Sequence, residues 1–493
     1  MYKKDNGQIT ISEFISPFAK LDKENRWVKI ADMIPWHRFE ERYSQQFSEN
    51  NGNPAISFRM AMGTLIIKQI MRHSDDDVLL DITENAYMQY LLGLEEYMST
   101  PPFSQSSISN FRKYITADML KEINDIIFSA GPSSDGGGPQ DGGGGSSEEP
   151  ENSPSTEPLS PPNKGTLLLD ATCAPADIAY PTDVNLLNES REKLESMVDT
   201  LWPTGYNGLK PRTYRKKARK SYLSFVKQRK PRKCAIRKAV GQQLRYVKRD
   251  LAHVERMIEK FGYENLSRKQ QEWLITIRKL YQQQLHMHDT KTHSVENRIV
   301  SIGQPHVRPI VRGKAKSSVE FGAKVSIHMV GGYSFIDKIG WDAYNEEALL
   351  IPALEQYKEQ HGFYPEAVLV DKIYRNRVNR AFCKKAGIRI SGPRLGRPPK
   401  ETDPAAIRQD RKDASGRNAI EGKFGEGKNG YGLGRIMARL IETSETVIAM
   451  SFFCMNISRR LRDILLWLLR MLVYKKNFDF LGKSDGFCYR VVG

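Results

Sequence analysis

Apolar positions Phe58, Met62, Leu65, Ile66 and Ile70 recur at helical spacing, and Ser74 followed by three aspartates is a capping signal that predicts a second helix. A third is predicted over Asn85 to Gly93. Ser106 to Tyr114 predicts a fourth, with few apolar positions and a polar face that includes Arg112 and Lys113. Further on, Thr166-Leu-Leu-Leu-Asp170 and Ala367-Val-Leu-Val-Asp371 are short apolar runs that predict buried strands, each ending in a carboxylate. Between them, Leu244, Val247, Leu251, Val254 and Ile258 step by three and four. A turn is expected near Phe261 to Asn265, and Leu274, Ile277 and Tyr281 continue on a second helix. Val319 to Val330 and Tyr333 to Trp341 meet across Gly331-Gly332, a hairpin signal. Helices are predicted over Glu346 to His361 and Asn376 to Ala386, with a small strand at Ile388 to Ile390 and another helix around Glu421. Two apolar runs, Val447 to Ile457 and Ile464 to Val473, read as helices packed into a core.

Residues 131 to 163 are Gly, Ser, Pro and acidic residues with almost nothing apolar, too little to offset ordering entropy, so a flexible linker is expected there. It sets off an all-α segment, 1–130, from a larger unit, 165–493, with the linker drawn over 131–164. Within the larger unit, residues 186–295 form a basic helical-hairpin insertion, and C-terminal helices cover 443–475. Without the insertion the order is strand, hairpin, helix, strand, helix, strand, helix, which matches a ribonuclease H-like α/β fold: a mixed sheet with flanking helices. The sparse Ser106 to Tyr114 helix fits the recognition helix of a helix-turn-helix-like domain, with Arg112 and Lys113 facing DNA.

Charge narrows the partner. The 493-residue chain carries a net charge of +17, and from Lys210 to Arg249 there are 17 Lys or Arg and no Asp or Glu. Such a sided stretch, including Arg215, Lys216, Lys217, Arg219 and Lys220, predicts a phosphate-binding surface and hence a nucleic-acid partner. The five cysteines are scattered with no CxxC pair, which points to a reducing compartment. No signal peptide is expected from the polar start, and both C-terminal apolar runs are too short to cross a bilayer.

Arg417, Glu421 and Lys428 fall on one face of a helix, a carboxylate flanked by two cations. Gly422, Gly425 and Gly427 weaken that helix, a sacrifice of local propensity expected at a functional site. In a ribonuclease H-like sheet the first and fourth strands are parallel neighbours, so Asp170 and Asp371 point into one pocket that the Glu421 helix can close. Three carboxylates there can hold two Mg2+ ions, with Mn2+ as substitute, roughly 4 Å apart for phosphodiester chemistry. Arg417, Lys428 and Lys423 are assigned to DNA phosphates.

At these residues the chain resembles the DDE transposases of bacterial insertion sequences, most closely the insertion-sequence-five type, related to the insertion-sequence-four type. The resemblance runs from about Ile56 to Leu469, on Asp170-Ala-Thr with Ala176 to Asp183, Arg298-Ile-Val-Ser-Ile, Val319 to Lys324, Asp371-Lys-Ile-Tyr-Arg, Gly392 to Pro399 and Arg417 through Lys428. It departs at Ala414, where the family's Tyr-Arg-Glu-Lys signature has its Tyr. The resemblance implies a transposase that binds terminal inverted repeats and target double-stranded DNA, cleaves at the element ends and transfers the liberated 3′-hydroxyl. Asp170, Asp371 and Glu421 would be both catalytic and metal-binding. It also implies a homodimer when synapsed on DNA and a bacterial cytoplasmic, nucleoid-associated location.

Other features carry less. Gly422 to Asn429 nearly fits a phosphate-binding loop but lacks its Ser or Thr, so no nucleotide is expected. Glu426 is rotated away from Glu421, Asp177 and Asp183 are expected to shape a neighbouring loop, and His286, His288 and His293 to lie at a solvated helix end. Trp273, Trp341 and Trp467 are read as packing aromatics. The rival functions are an inactive or repurposed DNA-binding protein and a structure-selective nuclease.

Overall fold

The computed structural model describes residues 17–48, 54–129, 163–314, 317–392 and 404–481. The segment read as a linker lies outside these residues apart from its last two positions, and so does the Gly392 motif beyond Gly392 itself.

Seven helices come first: α1 (Arg26–Met33), α2 (Trp36–Ser44), α3 (Phe58–Met71), α4 (Asp75–Glu84), α5 (Ala86–Leu92), α6 (Gln105–Tyr114) and α7 (Ala117–Phe128). Their starts follow local chemistry. Ser74 and Asp77 form a reciprocal capping box on α4, and the Asn85 side chain caps α5, which stops at Gly93 in the left-handed region. Four of the seven match the predicted helices; α1, α2 and α7 do not correspond to any. Arg112 on α6 donates to Asp75 on α4 at 2.7 Å, while Lys113 is exposed.

The remainder is mixed α/β: β1 (Thr166–Pro175), α8 (Asp183–Leu201), α9 (Arg215–Val226), α10 (Lys233–Phe261), α11 (Arg268–Thr290), β2 (Arg308–Lys314), β3 (Ser317–Val330), β4 (Tyr333–Gly340), α12 (Leu350–His361), β5 (Ala367–Val370), α13 (Arg377–Lys385), β6 (Arg389–Ile390), α14 (Pro404–Gly430) and α15 (Ile441–Leu481). The six strands form one sheet in the order β2-β3-β1-β5-β6, with β4 also paired to β3. β1 is antiparallel to β3 and parallel to β5, and β5 is parallel to β6. Gly331 and Gly332 turn the β3–β4 hairpin with φ of 58° and 85°, a left-handed region that glycine enters at no steric cost. One strand, β2, was not anticipated.

β1 does not end at Asp170 as expected. It runs five residues further because β3 continues to pair with it as far as Pro175, whereas its parallel pairing with β5 stops at Leu169. The insertion between β1 and β2 is larger than a hairpin. α8 packs with α10 and α11 over one core that includes Leu187, Leu194, Val247, Val254, Leu274 and Ile277, and α9 packs against its edge through Tyr222 and Phe225.

Helices cover both faces of the sheet. Leu167, Leu169, Val368 and Val370 meet Leu350, Leu354 and Tyr357 of α12 on one face. Leu168, Val325 and Ile327 meet Ile420 and Phe424 of α14 and Phe452 of α15 on the other. The first seven helices do not form a separate core. Phe58, Ile66, Ile123 and Phe128 belong to the same apolar cluster as Tyr333 and Phe335 of β4 and Phe453 and Ile457 of α15. Within it, Asn456 donates to Asn124 Oδ1 at 2.8 Å and accepts from Ser334 N at 3.0 Å. The two expected C-terminal helices are one, α15, and its second apolar run is not in a core. Leu465, Leu466, Trp467 and Leu469 are about half exposed, because no element among the described residues packs over that end. No helix among the described residues is long and apolar enough to cross a membrane.

Candidate active site

The parallel register of β1 and β5 runs from Thr166↔Ala367 to Leu169↔Val370. The next residues are Asp170, within β1, and Asp371, just past the end of β5, so the two aspartates stand side by side at one level, about 5 Å apart at the backbone spacing of a sheet. Their local settings differ. Asp170 Oδ1 accepts its own following amide, Ala171 N, at 2.8 Å and is largely buried. Asp371 ends its strand by capping the turn Lys372–Tyr374, accepting Lys372 N at 2.7 Å, and its side chain is 57% exposed.

α14 brings the third acid. Ile420 and Phe424 seat it on the sheet, and Gly416 lies so close to β5 that a Cβ there would come within 2.9 Å of Leu369 Cδ1. That approach places Arg417 against the strand end. Its Nη1 donates to Asp371 Oδ1 at 2.9 Å and its Nη2 to Glu421 Oε1 at 3.3 Å. One guanidinium therefore bridges Asp371 and Glu421, and its charge also reaches Asp170. Burial works against charge on Arg417, but the Asp371 hydrogen bond and the charges of Asp371, Asp170 and Glu421 outweigh it and hold its pKa above the ordinary value.

A fourth carboxylate was not anticipated. Glu346, just before α12, faces Asp170 electrostatically, pairs with Lys324 Nζ at 2.7 Å and accepts from Tyr374 Oη at 3.3 Å. No periodicity marks it, since its relation to Asp170 comes from the sheet and not from spacing.

Burial pushes the Asp170 carboxyl up to about 6; the Ala171 amide and Arg417 oppose this, and Glu346 and Asp371 add to it. A carboxyl raised in the folded state stabilises folding when protonated, fully so below the ordinary value near 4, and that contribution is lost as pH rises through 6. The loss is on the order of 3 kcal/mol. In EDTA, Asp170→Asn is therefore expected to melt higher than wild type at pH 8 and to match it at pH 4. Equal melting at both pH values would remove the charge crowding from the account.

Among the described residues no three His, Cys, Asp or Glu side chains stand close enough to cage an ion as they are. The donor set nevertheless suits a hard divalent cation: carboxylate oxygens, one of them destabilised as an anion, with a single guanidinium as the shared countercharge.

The other predicted residues are spread out. Lys428 lies half-buried near the end of α14, while Lys423 is 6% exposed and pairs with Glu426 at 3.3 Å, so its ammonium turns into the protein. Glu426 also holds Arg462, away from Glu421. Lys216, Lys217, Arg219 and Lys220 are exposed on α9; Arg215 beside them forks onto Asp199 at 2.9 and 3.0 Å. Asp183 accepts from Arg298 at 2.7 Å, tying the start of the insertion to its end, and Asp177 accepts from Arg435 Nε at 2.8 Å.

Residues 368–458 match the family model described as Transposase DDE domain, and residues 16–114 match the model described as Transposase domain (DUF772). The chain is also 26% identical over 176 residues, 36% of its length and 74% of the other's, to a Rhizobium meliloti protein described as uncharacterized protein ORF8 in nfe locus. No solved structure matches. Asp371, Arg417, Glu421 and Lys428 fall inside the first match and α1 to α6 inside the second, so two separate segments of the chain are similar to transposase domains.

Proposed function

We propose that this protein binds the ends of an insertion sequence and catalyses divalent-metal-dependent strand cleavage and strand transfer, most closely in the manner of the insertion-sequence-five type. The observation that carries this reading is Arg417 bridging Asp371 and Glu421, all three within the matched transposase segment, beside Asp170 on the neighbouring strand. Asp170, Asp371 and Glu421 would hold Mg2+ or Mn2+, which when bound supplies Lewis acidity to the attacking and leaving oxygens of the phosphodiester. Arg417 exchanges its carboxylates for non-bridging phosphate oxygens, for which its planar fork is suited. Asp170 must lose its proton to act as a ligand, so cation binding competes with protons at this site and weakens as pH falls. Lys428, about two turns beyond Glu421 along α14, contributes to flanking phosphates.

Lys216, Lys217, Arg219 and Lys220, with the basic start of α10, give the insertion a surface for DNA backbone. Replacing these four by Ala is expected to lower the salt dependence of binding by roughly three units of log–log slope, with similar losses on all sequences. An unchanged slope would take DNA off this surface. Lys113 on α6 is the exposed candidate for reading the ends, with Arg112 holding α6 to α4 through Asp75. Synapsis of two ends makes a homodimer on DNA, in the bacterial cytoplasm.

Incubating the protein with short DNA bearing the element ends, in Mg2+ and separately in EDTA, tests the function. Joined strand-transfer products in Mg2+ alone are expected. Nicking without joining would favour a structure-selective nuclease, and binding without cleavage a repurposed DNA-binding protein.

A further inference from the structure

Beside Asp170 stands a second ion pair that the three proposed ligands do not use. Lys324 on β3 meets Glu346 Oε1 at 2.7 Å, and the two side chains are 16% and 18% exposed, so water and small ions reach both. The carboxylate is held firmly. Tyr374, fully buried in the turn after Asp371, donates its hydroxyl to Glu346 Oε2 at 3.3 Å. Asn379 of α13, 2% exposed, donates to the carbonyls of Glu347 and Tyr374, both at 2.8 Å, and so ties the Glu346 segment to that same turn. Tyr374 N donates in turn to the Asp371 carbonyl at 3.1 Å. Glu346 is thereby kept in a set relation to Asp371, and its charge bears on Asp170 more strongly than that of Asp371 does.

Joining β3 to the segment before α12 does not need an anion. A neutral amide in the place of Glu346 would still accept from Tyr374, whereas a carboxylate near Asp170 adds like-charge repulsion, which a divalent ion relieves. A local cost of this kind is expected at functional positions. Lys324 is also equipped to give the carboxylate up. Its ammonium donates to the Tyr344 carbonyl at 2.8 Å and lies 4.7 Å from the centre of that residue's ring, so it keeps partners when Glu346 turns elsewhere. The arrangement parallels Arg417 on Asp371 and Glu421, with a cation of the chain on carboxylates at each side of Asp170.

We propose that Glu346 serves the divalent-cation site as a fourth carboxylate, with Lys324 as the chain's own cation that competes for it. The inference rests on the cation-binding role proposed above for Asp170, Asp371 and Glu421 and adds a residue from a different part of the fold. It carries a sign that a structural ion pair does not. Removing Glu346's charge weakens cation binding, whereas removing Lys324's charge strengthens it, because the competitor is gone and the local potential is more negative. Two residues that merely brace β3 against the segment before α12 would act in the same direction when either is replaced.

The test is a titration of the full-length protein, without DNA, with Mn2+ alone, the free ion being counted by its electron paramagnetic resonance signal. Glu346→Gln, which keeps the shape and the acceptor for Tyr374, is expected to weaken Mn2+ binding by about ten-fold. Lys324→Met, which keeps most of the stem, is expected to tighten it by about five-fold. Wild-type affinity in a Glu346→Gln variant that melts like wild type, or unchanged or weaker binding by Lys324→Met, would each overturn the proposal. Should one variant fail to fold, the other decides it alone. Asp371→Asn in the same titration separates this inference from its parent. If Asp371→Asn loses Mn2+ and Glu346→Gln does not, Glu346 alone is rejected; if wild type binds no Mn2+, or Asp371→Asn binds it like wild type, the cation-binding role of the three acids falls and Glu346's with it.

Discussion

Asp371→Asn is expected to lower the rate of strand cleavage by at least about a thousandfold while leaving affinity for end-bearing DNA within a few-fold of wild type. The amide keeps the shape of the side chain and its cap on Lys372, so the strand end is preserved. What is lost is an anionic oxygen that can bind a hard cation and that holds Arg417 in place at 2.9 Å. Because Asp371 is more than half exposed, the ion pair itself contributes little to stability, and the melting temperature should barely move. A large fall in rate with an unchanged melt is therefore the signature of chemistry and not of folding. Cleavage near the wild-type rate would remove Asp371 from the site, and parallel loss of DNA binding would recast it as a binding residue.

Phe453→Ala is expected to destabilise the whole described protein by about 3–5 kcal/mol, a fall of roughly 5 °C in melting temperature for a cooperative unit of this size. Phe453 is 1% exposed and packs edge-on against Phe128 of α7, with ring centroids 6.2 Å apart. Phe128 in turn stacks on Tyr333 of β4 at 5.2 Å. The ring thus joins the first helical segment, the sheet and α15 in one cluster, and the buried Asn124–Ser334–Asn456 hydrogen bonds fix their register. The expected result is one cooperative transition displaced as a unit. Two transitions, only one of them shifted, would show that the helical segment folds on its own and that this packing does not couple the parts. Coupling has a functional meaning under the proposed function: the helical segment proposed to recognise DNA ends is seated on the same α15 that packs beside α14, the helix of Glu421.

Features set by a few adjacent residues were legible in the chain. Ser74 with Asp77 marked the start of α4, Gly331-Gly332 the β3–β4 turn, and two apolar runs the parallel pair β1 and β5. From that pair the neighbouring positions of Asp170 and Asp371 followed, because adjacent parallel strands with equal runs end at one level. The i,i+4 relation of Arg417 and Glu421 was legible for the same local reason. Features set by the meeting of distant segments were not. Nothing near Arg417 announces that its guanidinium turns to Asp371, since that depends on Gly416 admitting α14 close to Leu369. Lys423 counted as one more surface cation until α15 covered it. Glu346 became relevant only once the segment before α12 was placed beside Asp170. The apolar run of Ile464 to Val473 looked like core because hydropathy records what a residue prefers, and Trp467 at 57% exposure shows that preference unmet. Composition alone could not separate the first helices from the rest, since a linker-like sequence does not prevent the segments on either side from sharing one apolar cluster.

The central claim is that Asp170, Asp371 and Glu421 jointly hold divalent cations, with Arg417 standing between them in their absence. The most direct measurement is anomalous diffraction from crystals of the protein with end-bearing DNA and Mn2+. The account predicts manganese peaks in contact with Asp170 and Asp371, with Glu421 completing the site and Arg417 turned from the carboxylates to the DNA backbone. Bound DNA with no manganese there, and Arg417 still bridging Asp371 and Glu421, would contradict it.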